Sequence, residues 1–137
     1  MKKYLFILIA LLVCGTMNKV SAQTIKDNGY RTVAYVDGNG CIQNSNRVAI
    51  GYIRNDGIIQ DSNRNVIGYI CSNGSIQDSR RVSIGYVKDS GEVQDKNHRT
   101  IGYVKGDGQV LDSSHRIIGY AQNIPISWAS VFFFFLK

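Results

Sequence analysis

Six tyrosines, Tyr35, Tyr52, Tyr69, Tyr86, Tyr103 and Tyr120, stand at a constant interval of 17 residues. A period of this length marks a chain built by juxtaposing copies of one small supersecondary unit, and it restricts the fold more than any other feature. The rest of the unit keeps the same register. Gly51, Gly68, Gly85, Gly102 and Gly119 precede five of the tyrosines, with Ala34 before the first. Five places after the tyrosine comes a second glycine, at Gly40, Gly57, Gly74, Gly91 and Gly108. Then follow a β-branched residue, a glutamine (Gln43, Gln60, Gln77 and Gln94, with Leu111 the exception), and Asn44, Asp61, Asp78, Asp95 or Asp112. The unit reads (I/V)-G-Y-(I/V)-x-x-x-G-x-(I/V)-Q-D-x-x-(R/H)-x-x.

Each unit reads as two short strands. Ile50-Gly51-Tyr52-Ile53 is β-branched and aromatic, and Arg54-Asn55-Asp56-Gly57 is turn chemistry, its glycine free to take a positive φ. The chain returns through Ile58-Ile59-Gln60 and turns again at Asp61-Ser62-Asn63-Arg64, where the aspartate can accept backbone N–H groups. Glycine interrupts every window long enough for a helix, and no 3.6-residue apolar stripe survives. A lone hairpin cannot bury enough surface to be stable, so neighbouring units supply one another's core.

The ends of the array suggest closure. Ile25-Lys26-Asp27 is the second half of a unit and Ile118-Gly119-Tyr120 the first half of another, so the two can pair and remove the exposed sheet edges. The expected fold is all-β: a closed toroid of hairpin repeats in one domain. An open β-solenoid with a 17-residue coil is the alternative.

Residues 1–22 read as a secretory signal peptide. Lys2 and Lys3 precede the apolar run Tyr4 to Val13, and Val20-Ser21-Ala22 offers a small-residue cleavage pattern before Gln23. The expected location is therefore outside the cytoplasm: periplasmic, secreted or at the cell surface. A lipoprotein signal on Cys14 is the rival, weakened by the bulk of Val13 before it. Cleavage would remove Lys2, Lys3 and Lys19 and lower the formal charge from +6 to +3. So mild and interspersed an excess gives no clustered basic face, and no nucleic-acid partner is expected. Residues 23–123 form the repeat domain, and 124–137 form an apolar tail belonging to it. The tail's run from Trp128 to Leu136 is too short to span a bilayer, so no transmembrane segment is expected in the mature chain. In a toroid it belongs in the centre or against one face; as an exposed segment it would dock on a partner or membrane.

The repeat, the export signal and the aromatic-rich tail together resemble the five-fold β-flower proteins, small exported proteins seen mainly in Bacteroidetes-type bacteria. The resemblance covers the mature chain from about Thr24 to Lys137. It implies a closed, pseudo-five-fold arrangement of β-hairpin petals. Five complete units and two halves leave five or six petals open. The resemblance carries no catalytic residue onto this chain.

The tyrosine column is the candidate ligand surface. Exposed rings between hairpins can stack on sugar faces or cage cations; its apolar flanks, however, read as core packing with hydroxyls bonded at the edge. The D-x-x-(R/H) pairs, such as Asp61 with Arg64, read as solvated turns with a capping aspartate and an exposed arginine. His98 and His115 share the column of Arg47, Arg64 and Arg81, which suits neither a metal ligand nor a general base. The turns at Asp56, Asp89 and Asp107 lack calcium-loop spacing, and no nucleophile or zinc motif occurs, so no metal, cofactor or catalytic residue is expected. Cys41 and Cys71 lie two units apart, too far for a disulfide. The expected function is that of a non-enzymatic exported protein, a binding or structural module of the cell envelope engaging glycan. The alternative is a scaffold recruiting a protein through petal edges or the Phe-rich tail.

Overall fold

The computed structural model describes residues 23–136; the expectations placed on residues 1–22, export signal and Cys14 alike, lie outside the described residues. Twelve short strands follow one another. Four-residue strands β1 (Thr24–Asp27), β3 (Cys41–Asn44), β5 (Ile58–Asp61), β7 (Ser75–Asp78), β9 (Glu92–Asp95) and β11 (Gln109–Asp112) carry the second half of each repeat. They alternate with β2 (Thr32–Val36), β4 (Ala49–Ile53), β6 (Val66–Ile70), β8 (Ser83–Val87), β10 (Thr100–Val104) and β12 (Ile117–Gln122). Every strand pairs antiparallel with its sequence neighbours, and β12 returns to β1, closing a barrel. All of the pairing among the described residues lies within residues 24–122 and closes on itself, so the chain from Gln23 onward holds a complete barrel.

The closure decides the number of petals, which the sequence leaves at five or six. Five tyrosine-to-aspartate units, β2–β3 to β10–β11, are continuous in the chain, and a sixth is assembled from its two ends. In that sixth unit Tyr120 faces Lys26 and Ala121 faces Ile25, the register in which Tyr35 faces Gln43 and Val36 faces Ile42. The ring is therefore six-fold, because two half-units at opposite ends of the chain have the sequence of one whole. Among the described residues no strand edge is left to recruit another chain.

Alternation along each strand decides what faces inward. Ile53 faces Ile59, Val87 faces Val93, and Val104 faces Val110 across the ladder, all of them buried. Each such aliphatic side chain contributes roughly 1.5–3 kcal/mol on burial. Gly51 and its equivalents share this inward face. A register shift in each Asp-turn hairpin, as between Ile59 and Gln60 opposite β6, sets one residue of the longer strand out of the ladder.

The lumen is filled by the chain's own end. After Pro125 come helix α1 (Ile126–Ser130) and a π-helical turn (Val131–Phe135) closed by Leu136 N–H donating to the Val131 carbonyl at 2.7 Å. Ala129, Ser130 and Val131 are buried, and the buried Ser130 hydroxyl donates to the Ile126 carbonyl at 2.8 Å. Phe133, Phe134 and Phe135 lie against Gly119, Gly102 and Gly85 on β12, β10 and β8; a Cβ on Gly119 would meet Phe133 Cε1 at 2.6 Å. A π-turn advances each residue through a smaller angle than an α-helix. Three consecutive rings can thereby meet three neighbouring hairpins. Among the described residues no helix is long and apolar enough to cross a membrane.

Candidate functional site

With Gly51 and Ile53 facing inward, Tyr52 between them must face outward. All six column tyrosines, Tyr35 to Tyr120, are accordingly half-buried on the outer wall, not packed in the core. This overturns the core reading: inward space opposite the tail is taken by glycine, which leaves the ring on the other face. Each ring is flanked on the ladder by the neighbouring strands; Tyr52 lies opposite Gln60 on one side and Cys41 on the other.

What covers each ring comes from the next Asp-turn, twelve residues on. The guanidinium carbons of Arg47, Arg64 and Arg81 sit 3.8, 4.0 and 3.8 Å from the ring centroids of Tyr35, Tyr52 and Tyr69. His98 stacks on Tyr86 at 4.1 Å and His115 on Tyr103 at 4.5 Å, nearly parallel at 13° and 24°. Arginine and histidine exchange here because both are flat. The sixth position completes the girdle at the seam: Tyr30, 17 residues before Arg47, meets Tyr120 edge-on at 4.9 Å. Its hydroxyl accepts from Gln122 Nε2 at 2.7 Å, and Lys26 Nζ lies 4.3 Å over its ring.

The covering residues sit in left-handed backbone. Tyr30, Arg47, Arg64, Arg81, His98 and His115 all have φ between 66° and 69°. Such a conformation costs a residue with a Cβ about 1–2 kcal/mol, while an exposed cation–π contact returns only about 0.5–1. The difference is made up in the turn itself. Asp61 Oδ1 accepts from the N–H groups of Asn63 and Asn65, each at 2.9 Å, and Asp27, Asp78, Asp95, Asp112 and Asn44 do the same in their own turns. These N–H donors hold the five aspartates below the ordinary carboxylate value, against a smaller opposing effect of desolvation.

A family model described as 5-fold beta-flower protein matches residues 22–137. The chain belongs to the beta-flower family. No curated protein and no solved structure matches it.

The remaining polar groups of the flower are spread around it. The aspartates of the D-x-x-(R/H) pairs cap their turns as the sequence suggests, but Arg64 goes to Tyr52 and not to Asp61. Ion pairs form one residue further on, as in Arg31–Asp27 at 3.1 Å, Arg99–Asp95 at 3.3 Å and Arg116–Asp112 at 3.2 Å, all with exposed arginines. His98 Nδ1 lies 3.3 Å from Gln94 Oε1, which calls for a proton on Nδ1, whereas the buried Oε1 atoms of Gln60 and Gln77 have no partner. The Glu92 carboxylate is held below its ordinary value chiefly by the Thr100 hydroxyl. Cys41 and Cys71 are free thiols, and burial raises the pKa of Cys41. No three metal-ligating side chains come together among the described residues. Tyr30 is the girdle member that sequence reasoning missed. Its signal was present in its position, one repeat before Arg47, but its side chain matched neither Arg nor His.

Proposed function

We propose that this beta-flower is a non-enzymatic binding or structural module of the cell envelope that works through its outer wall. The observation that carries this reading is the girdle. Five times around the barrel a flat cationic or aromatic side chain lies over a tyrosine ring, and at the seam Tyr30 meets Tyr120 edge-on, each covering residue held at positive φ. Local strain repeated at every unit points to a surface whose geometry matters. The ring faces are already covered, so a ligand would meet hydroxyl edges, guanidinium groups and glutamine amides. Such groups suit a hydroxyl-rich repeating polymer, and envelope glycan is the class proposed. Two features that favoured the scaffold reading are occupied: the strand edges are paired, and Phe133 to Phe135 face the lumen. A glycan screen read by tyrosine fluorescence tests the proposal, since Trp128 is half-buried beside the Gly40 turn and not in the tyrosine girdle. A saturable change lost in the Tyr69→Ser, Arg81→Ser protein is expected; no change with any envelope glycan would overturn it.

A further inference from the structure

The two ends of the barrel are chemically opposite, and one of them has the makeup of a surface that lies on an anionic membrane. The exposed aliphatic side chains, among them Val48, Val82, Ile50, Ile67, Val66 and Ile117, all follow Asp-turns and so stand at one end. There the tail also finishes, with Phe132 and Leu136 beside Ile50, Ile67 and Asp61 around a shallow cavity. The same turns carry Arg47, Arg64 and Arg81 of the girdle, and add Arg31, Arg80, Lys96, Arg99 and Arg116. Against these eight positive residues stand five aspartates, whose carboxylates are engaged by turn N–H groups and, at Asp27, Asp95 and Asp112, also by Arg31, Arg99 and Arg116. The Gly-turn end has Arg54, Lys88 and Lys105 against Asp37, Asp56, Asp89, Glu92 and Asp107, and no large exposed aliphatic residue among those described. The net charges are therefore +3 at one end and −2 at the other.

We propose that the Asp-turn end docks on a bilayer bearing anionic phospholipid headgroups, with its aliphatic residues at the headgroup boundary and its arginines on the phosphates. An apolar disc within a basic rim matches the two forces that hold a protein at such an interface. A second copy in the same orientation would set two basic ends together. A head-to-tail copy would offer charge complementarity but no aliphatic surface to cover Val48 and Val82. The strands, of four to six residues, are too short to cross a bilayer, which takes about 9–11. The barrel rests on the membrane and does not enter it.

Cosedimentation of the chain from Gln23 onward with extruded vesicles tests this. Phosphatidylcholine vesicles containing phosphatidylglycerol are expected to bind the protein at low salt, and pure phosphatidylcholine vesicles are not. Binding should weaken strongly by about 0.5 M salt, where charges are screened within a few ångströms. Arg80→Gln and Lys96→Gln should each lower affinity about fivefold, and Val48→Ser with Val82→Ser about tenfold. Lys88→Gln, at the opposite end, should leave it unchanged. The Tyr69→Ser, Arg81→Ser protein should lose only the one charge's worth, which separates this surface from the glycan reading. The proposal is overturned by absence of binding to anionic vesicles, by equal effects of Lys88→Gln and Arg80→Gln, or by salt-sensitive self-association without vesicle binding, the mark of head-to-tail stacking.

Discussion

The two sets of turns solve the same geometric problem with different residues. Each needs one residue in left-handed backbone to bring the chain round. At one end it is Gly40, Gly57, Gly74, Gly91 or Gly108, with φ from 88° to 98°; at the other it is arginine, histidine or tyrosine, with φ near 68°. The glycine turns have no choice: a Cβ on Gly74 would approach the Val87 carbonyl oxygen to 2.5 Å. In the Asp-turns the space is open, and the side chain is used to cover a tyrosine. A turn that closes a barrel and a turn that builds a surface thus differ in whether a Cβ has anywhere to go. The tail joins the two ends, entering beside the glycine turns and finishing beside the Asp-turns.

The largest effect is expected from removing the tail. A chain ending at Asn123 loses the buried Ala129, Ser130 and Val131 and leaves an apolar lumen open to water. The expected outcome in thermal unfolding monitored by circular dichroism is loss of the cooperative transition. An unchanged midpoint would show that the barrel stands without its filling, and that the two ends are not coupled through the tail.

Next comes Gly74→Ala. Left-handed backbone at alanine, together with the close carbonyl, should destabilise the protein by about 2 kcal/mol or more in urea unfolding. A cost below about 0.5 kcal/mol would mean that the Gly-turn can relax, and the contrast between the ends would lose its steric basis.

A smaller effect belongs to the acid side of the pH profile. Asp27, Asp61, Asp78, Asp95 and Asp112 have folded-state values below the ordinary 3.8. Lowered carboxylates contribute stability that is fully present above the unfolded value and is lost as pH falls through the folded ones. Stability should therefore fall below about pH 3.8 and continue falling as the caps protonate, an effect shared by the five aspartate turns. Asn44 makes the same two bonds without titrating. Replacing aspartates with asparagine one turn at a time should flatten the acid limb in steps, measured by melting between pH 2 and 5. A limb that ignores these replacements would place the acid sensitivity elsewhere.

Much of this fold is legible in the sequence, for a physical reason. Gly57 and Asp61 each mark a turn that few other residues can make, and half-units at the two ends can satisfy only each other. The facing of the tyrosines was hidden because Ile50-Gly51-Tyr52-Ile53 is apolar on both sides of the strand. Which side is inward depends on where the tail needs room, and the tail's place against Gly85, Gly102 and Gly119 leaves no local mark in the repeat. Nor does the D-x-x-R spacing tell that Arg64 reaches back to Tyr52, since that contact depends on the sign of one φ angle.

Arg64→Gly is the smallest and most discriminating change. Glycine relieves about 1 kcal/mol of left-handed strain, while losing the guanidinium over Tyr52 costs about 0.5–1 kcal/mol. The two nearly cancel, so the unfolding free energy measured in urea should change by less than about 0.5 kcal/mol. The Tyr52 ring, however, becomes open on one face, and its accessibility to a small quencher such as iodide should rise. Arg64→Asn separates the terms further, because asparagine tolerates the same backbone better than most residues yet cannot stack a cation. If Arg64→Gly instead destabilises the barrel as much as Gly74→Ala does, the cover over the tyrosine is part of what holds the wall together, and the two ends are structural alike.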